Sequence, residues 1–220
     1  MTLDPTGEPA SPTRAAAVAA LVLAAGGGQR FGGPKLLAPF RGRPLAAHSL
    51  DAARRALETG TVERVVMVTA AGDAALADLA RRAGATVCEN AAPELGLASS
   101  LQRGLEALET AAAATTGAVL VMLGDQPLVR LEVLDRLVAA WRARQGTLFR
   151  PRYLDTPDQP GHPVLADRSL WPLAMTLSGD RGFASPLPPD SPSLVLVDVA
   201  GRNPDIDTPD DLTALEGSCS

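Results

Sequence analysis

Apolar runs of strand length alternate with amphipathic runs of helical period along almost the whole chain, and this alternation constrains the fold more than any other feature. The strand-like runs are Ala16–Leu23, Arg64–Thr69, Thr86–Cys88, Ala118–Leu123, Thr147–Arg150 and Ser193–Val199. Between them, Pro44–Thr59, Asp73–Ala83, Ser99–Thr110 and Leu131–Arg144 carry the helical period. Strands apolar on both faces must be covered on both faces, which predicts an α/β protein with a three-layer, Rossmann-like, mostly parallel sheet between helices. The stretch 151–192 breaks the rhythm with prolines and glycines. It reads as a substrate-facing insertion with a short helix near Ala166–Leu177, because the strand that follows has to return to the sheet. Residues 1–15 read as a disordered leader and 16–216 as a single domain.

With 220 residues, such a chain buries roughly 70% of the surface exposed on unfolding, enough for a core without staples. The formal net charge of −5 offers no broad basic face to neutralise a nucleic-acid backbone or coat an anionic membrane, so neither is an expected partner. Cys88 and Cys219 form no CxxC and no disulfide framework. That usage fits a reducing compartment, and the expected location is the cytoplasm. The apolar run Ala15–Ala25 has no basic segment before it and falls short of the roughly 20 residues of a membrane span, so it reads as the buried first strand.

That strand runs into Ala24-Ala25-Gly26-Gly27-Gly28-Gln29-Arg30-Phe31-Gly32-Gly33-Pro34-Lys35, at a carboxyl strand end, where α/β sheets bind ligands. Glycine-rich backbone can turn its N–H groups toward an anion, and Arg30 and Lys35 supply charge to spread over a triphosphate. Lys35 is the single lysine among 20 basic residues, and a compact ammonium suits a phosphate better than a planar guanidinium. Lys35 lies between Pro34 and Leu36, which excludes a Walker loop, and Phe31 stands where a dinucleotide fingerprint needs glycine. The loop therefore holds nucleotide phosphates in a third way. As a loop lysine, Lys35 is expected to be exposed and to contribute little to packing.

The run from Leu23 to Lys35 resembles the signature of the molybdenum cofactor guanylyl- and cytidylyltransferases, within the nucleotide-diphospho-sugar transferase fold. Further blocks follow in family order: Asn90 with Gly96-Leu97-Ala98-Ser99-Ser100-Leu101, Gly124-Asp125-Gln126-Pro127, Gly161-His162-Pro163-Val164, Gly179-Asp180-Arg181-Gly182 and Asp205-Ile206-Asp207-Thr208-Pro209. Ala24-Ala25-Gly26 and Ser99-Ser100 are similar to the cytidylyl branch, since the guanylyl branch usually carries a glycine where Ala25 stands. The resemblance implies a nucleotidyltransferase that moves CMP from CTP to molybdopterin, releases pyrophosphate, uses Mg²⁺, and supplies a molybdenum hydroxylase apoenzyme. The chain departs from the pattern at Phe183-Ala184, where relatives usually carry an arginine two residues after the glycine matched by Gly182.

On that resemblance Lys35, Arg30 and Asp125 are catalytic. Ala24, Ala25, Gly26, Gly28, Arg30, Lys35, Asn90, Ser99 and Ser100 would bind the nucleotide, and Gln126, His162, Asp180 and Arg181 would line the acceptor site. Asp125 lies just past a buried strand, and Mg²⁺ takes one or two carboxylates beside phosphate oxygens and water. Asp207 is the candidate for the second carboxylate, with Asp205 beside it. Asp207-Thr208-Pro209 fits the cap and first-turn proline of a last helix equally well, and Ser99-Ser100, read as preceding a helix, fit caps as well as ligands. His48 reads as a helix-surface or packing residue. The rival enzymes are a GTP-dependent molybdopterin guanylyltransferase and a sugar- or polyol-phosphate cytidylyltransferase. From other classes come an NAD(P)H-dependent oxidoreductase of the nicotine blue type, a name that some sequences resembling this family carry, and a non-catalytic nucleotide-binding chaperone for a hydroxylase.

Overall fold

A computed structural model describes residues 16–110, 116–159, 161–185, 191 and 193–217; the leader expected over 1–15 lies outside them. Strand β1 (Ala17–Ala24) is buried at every position. Its side chains alternate between two cores, Val18, Ala20 and Val22 on one face and Ala19, Leu21 and Leu23 on the other. This double burial is why the run is apolar without a period of two. The chain then makes a small hairpin of β2 (Pro39–Phe40) and β3 (Arg43–Pro44). Both of its turn residues, Arg41 (φ 50°) and Gly42 (φ 75°), are left-handed, as a tight two-residue turn requires.

Next come α1 (Leu45–Glu58), β4 (Arg64–Ala70), α2 (Ala74–Arg82), β5 (Thr86–Asn90), α3 (Leu97–Thr110), β6 (Thr116–Leu123) and α4 (Leu131–Arg142). The chain continues through β7 (Leu148–Tyr153), β8 (Val164–Asp167), α5 (Trp171–Ala174), β9 (Leu194–Val199) and α6 (Pro209–Gly217). Seven strands form one sheet in the order β5-β4-β1-β6-β8-β7-β9. The β5-β4-β1-β6 half is parallel, as is the β7/β9 pair, while β8 runs antiparallel to both neighbours. Leu50 of α1, Leu76 of α2 and Leu134 of α4 cover one face; Leu101 and Leu105 of α3 and Trp171 of α5 cover the other. The expected three layers are therefore present.

The segment 151–192 departs from the sequence reading. Pro151, Arg152 and Tyr153 complete β7, and Val164–Asp167 is an interior strand of the sheet. The helix expected near Ala166–Leu177 is corrected accordingly: Ala166 and Asp167 are strand, and only Trp171–Ala174 forms a single helical turn. A four-residue strand between prolines is too short to carry a readable period. A third, smaller cluster of Phe40, Leu45, Ile206 and Leu215 anchors the C-terminal segment beside the hairpin. Of the two readings of His48 the structure takes packing: its Nε2 is hydrogen-bonded to the Phe40 carbonyl at 2.9 Å and its ring lies edge-on to Phe40. Among the described residues no helix is long and apolar enough to cross a membrane.

Candidate functional site

Parallel register sets the site. Leu23 of β1 is level with Leu123 of β6, and Gly124 N–H donates to the Leu23 carbonyl at 2.9 Å. The glycine loop and the Gly124–Pro127 turn therefore leave the sheet side by side. Gly28 has φ +57°, and a Cβ there would stand 2.9 Å from the Gly33 carbonyl oxygen and 3.0 Å from the Lys35 Cβ. Only glycine lets the loop close onto Lys35 in this way.

Lys35 is not exposed, contrary to expectation: its side chain is 11% accessible. Its Nζ donates to Asp125 Oδ2 at 2.7 Å and to Asp207 Oδ1 at 3.2 Å. Arg30 Nη2 lies 3.1 Å from Asp207 Oδ2, on a side chain 77% accessible. Burial pulls the Lys35 pKa down, but the hydrogen bond and charge of Asp125, and then of Asp207, outweigh it and hold the ammonium above its ordinary value. Two cations and two carboxylates thus neutralise one another at the sheet's carboxyl edge.

Asp207 reaches this cluster because its neighbour is pinned. Ile206 is buried in the third core cluster, and its N–H donates to the Asp125 carbonyl at 3.2 Å. The residues on either side turn away from that core, Asp207 to Lys35 and Asp205 to Gln126. The cap of α6 belongs to other residues: Thr208 Oγ1 accepts from Asp211 N–H, and Asp211 Oδ2 accepts from the Thr208 and Asp207 N–H groups. This reciprocal capping box leaves the Asp207 carboxylate for the cations. Among the described residues no three His, Cys, Asp or Glu gather as an ion site. Two part-exposed carboxylates that share the Lys35 ammonium are nevertheless the donor set that Mg²⁺ takes beside phosphate oxygens, and they fit it.

A second polar cluster lies at the end of β5. Asn90, 2% exposed, donates from Nδ2 to Ser99 Oγ at 2.9 Å and Ser100 Oγ at 3.1 Å and accepts the Ala92 N–H at 3.0 Å. Ser99 and Ser100 do not precede the helix; they belong to the first turn of α3, which starts at Leu97. The exposed Leu97 N–H donates to Asp180 Oδ1 at 3.3 Å, and Ala98 N–H donates to the Gly179 carbonyl at 2.9 Å. Asp180 thus binds the loop after α5 to the start of α3, while the Arg181 Nη2 folds back onto Ser178 Oγ at 2.9 Å. Ala24 and Ala25 are buried at the end of β1, and Gly26 beyond them is exposed.

The Gln126 side chain is 4% exposed, with both amide atoms engaged. Nε2 donates to Asp205 Oδ1 at 2.6 Å, and Oε1 accepts from Asn203 Nδ2 at 3.1 Å. The His162 carbonyl accepts from Tyr153 OH at 2.9 Å and from Asn203 Nδ2 at 3.4 Å. Burial, then the nearby Arg150 guanidinium, push the His162 pKa down to about 4 against an upward pull from Asp125. Burial raises Tyr153 to about 12, so its hydroxyl stays a donor. Sequence reasoning missed Asn203, Tyr153 and Arg150. An asparagine before Pro204 reads as a turn residue, and the other two sit in a strand whose far half was not expected.

A model of the MobA-like NTP transferase domain matches residues 20–190. Nicotine blue oxidoreductase of Paenarthrobacter nicotinovorans is 37% identical over 173 residues, which cover 75% of this chain and 78% of that protein. The bifunctional protein GlmU of Paracidovorax citrulli is 35% identical over 147 residues, 64% of this chain but only 28% of GlmU. Among solved structures, Rv0371c from Mycobacterium tuberculosis H37Rv superposes with TM-score 0.73 at 28% identity, covering 92% of this chain and 99% of that one. The same protein in complex with manganese gives 0.72 at 26% identity, with 92% and 99% covered. CMP:2-keto-3-deoxy-manno-octonic acid synthetase complexed with CTP shares the fold at TM-score 0.66 and 15% identity, with 92% and 98% covered. The architecture is that of the nucleotide-diphospho-sugar transferases, and the chain belongs to the MobA-like NTP transferase family.

Proposed function

We propose that this nucleotidyltransferase moves CMP from CTP to the terminal phosphate of molybdopterin and releases pyrophosphate. The observation that carries the reading is the meeting of Lys35 and Arg30 with Asp125 and Asp207 at the mouth of the glycine loop. Phosphoryl-type transfer asks for cations on the non-bridging oxygens and carboxylates to hold a metal among them. The acceptor phosphate oxygen attacks the α-phosphorus in line. Its new P–O bond forms as the bond to the α,β-bridging oxygen breaks, and pyrophosphate leaves with that electron pair. Lys35 and Arg30 turn from the carboxylates onto the phosphates, Lys35 entering as an ammonium because its pKa is raised. Asp125 and Asp207 would hold Mg²⁺, which when bound neutralises charge on the phosphate oxygens; the manganese complex of the mycobacterial relative supports a divalent ion.

The nucleotide would lie along Ala24, Ala25, Gly26 and Gly28, with its base toward Asn90, Ser99 and Ser100. The acceptor would lie toward His162, Asp180 and Arg181, over the wall that Gln126 supports. Alanine at position 25 and the paired serines favour cytidine. In this reading 16–216 acts as one cytoplasmic domain that hands its product to a molybdenum hydroxylase apoenzyme. Pyrophosphate release with Mg²⁺ and purified molybdenum-loaded molybdopterin, compared among CTP, GTP and ATP, tests it. CTP-selective release that Asp125→Ala abolishes is the expected result; GTP-selective release moves the chain to guanylyl transfer, and release only with a sugar or polyol phosphate replaces the acceptor.

One observation favours a second reading: the nicotine blue oxidoreductase at 37% identity. Phe31 in place of a fingerprint glycine argues against a dinucleotide. NADPH consumption with a quinone-like dye in the absence of any triphosphate would support this alternative.

A further inference from the structure

Three separate segments meet at one buried side chain. Asn203 is 7% exposed, lies between β9 and α6, and uses both of its polar atoms. Oδ1 accepts from Leu128 N–H at 3.0 Å, beyond β6. Nδ2 donates to Gln126 Oε1 at 3.1 Å and to the His162 carbonyl at 3.4 Å. Gln126 then donates to Asp205 at 2.6 Å, two residues after Asn203 and two before Asp207. The chain of polarity is directional: amide donor of Asn203, amide acceptor and donor of Gln126, carboxylate of Asp205. It closes a loop that ties the segment carrying Asp207 to the turn carrying Asp125.

We propose that Asn203 is a positioning residue that sets the Asp207 carboxylate against Asp125, while fixing the His162 turn on the acceptor side. The inference rests on the reading of Asp125 and Asp207 as the metal pair. Asn203 touches neither carboxylate, so it acts through Gln126, Asp205 and the Leu128 backbone. Without the Asn203 N–H donor the Gln126 side chain turns over, and its carbonyl then opposes Asp205. The Asp207 segment loses its register with β6, as when an outer partner of a metal ligand is removed.

The test uses Mn²⁺ alone as probe, with free Mn²⁺ read by its EPR signal on the folded protein well below its unfolding temperature. Asn203→Asp keeps the shape and the acceptor for Leu128 but removes the donor, and should weaken Mn²⁺ binding about tenfold. Adding Asp205→Asn reverses the polarity of the chain: Gln126 donates to the new carboxylate and accepts from the new amide. The double variant should return to within about threefold of wild type, which a mere loss of packing would not do. Wild-type binding that Asp125→Asn leaves unchanged overturns the metal-pair reading, and the positioning role with it. Asp125-dependent binding that Asn203→Asp leaves unchanged overturns the positioning role alone, as does a double variant weaker than the single. If Asn203→Asp does not fold, the double variant decides: wild-type-like binding upholds the role, and a tenfold loss in it overturns the role.

Discussion

At the scale of single residues, the candidate site is a set of opposite charges paired with one another. Lys35 lies between Asp125 and Asp207, the pair proposed to hold Mg²⁺, so replacing it has two separable effects. Lys35→Met should lower kcat by about a hundredfold or more, the scale of one lost charge-stabilising donor. It should also destabilise the protein by leaving two carboxylates facing each other, and Mg²⁺ without nucleotide should restore more melting temperature to the variant than it adds to wild type. A variant that melts at the wild-type temperature and ignores Mg²⁺ would show that the ammonium does not hold the pair. His162 gives a pH dependence whose sign follows from its low pKa. With the folded value depressed to about 4 from an ordinary 6.5, the unfolded chain takes up a proton first as pH falls. His162 therefore contributes stability above pH 6.5 and loses it between 6.5 and 4. His162→Asn should flatten that part of the profile in thermal unfolding measured from pH 7 to 4.

At the scale of elements, the start of α3 does more than the sequence advertises. Gly96 has φ +90°, and a Cβ there would fall 2.5 Å from the Gly179 carbonyl carbon and 2.8 Å from Asp180 Oδ1. Gly96→Ala should therefore cost roughly 1–3 kcal/mol in urea unfolding, because left-handed strain adds to a clash with backbone. It should also raise the nucleotide KM by displacing the turn where Ser99 and Ser100 meet Asn90. Asp180→Ala, which removes only the acceptor for Leu97 N–H, should cost about 1 kcal/mol or less. The sheet strands and the helices up to Arg142 were legible because long periodic runs bury whole faces, whereas the β2–β3 hairpin, with two residues in each strand, carries no period and was not read. Strand β8 was not: Val164–Asp167 is four residues long, and its place in the sheet comes from pairing with β6 and β7. The grouping at the candidate site was legible where the pattern is local, as in the glycine loop and the Asp125 turn that the register sets side by side. It was illegible where a side chain matters through distant partners: Asn203 has three contacts on other segments and no pattern of its own.

At the scale of the whole molecule, the sheet order puts the candidate ligand edge at the centre and splits its walls between two layers. The loop after β1, the turn after β6 and the C-terminal segment meet on the α1 and α4 side through Ile206 and Leu36, while the Asn90 cluster belongs to the α3 side. A nucleotide spanning that edge would touch both layers, so its binding should stabilise the fold as a unit and not one lobe of it. Ligand that binds only the folded state adds RT ln(1 + [L]/Kd), about 2.7 kcal/mol at a hundredfold excess over Kd. For a domain of about 200 residues, each kcal/mol shifts the melting temperature by about 2–4 °C, which predicts a rise of roughly 5–10 °C with Mg²⁺ and CTP. The same concentration of GTP should give a clearly smaller shift if Ala25 and the paired serines select cytidine, and Asp125→Asn should reduce the Mg²⁺-dependent part of the rise. A larger shift with GTP than with CTP would reverse the base assignment while leaving the phosphate site intact. A shift with NADPH and none with any triphosphate would instead place the chain's activity with that of its oxidoreductase relative.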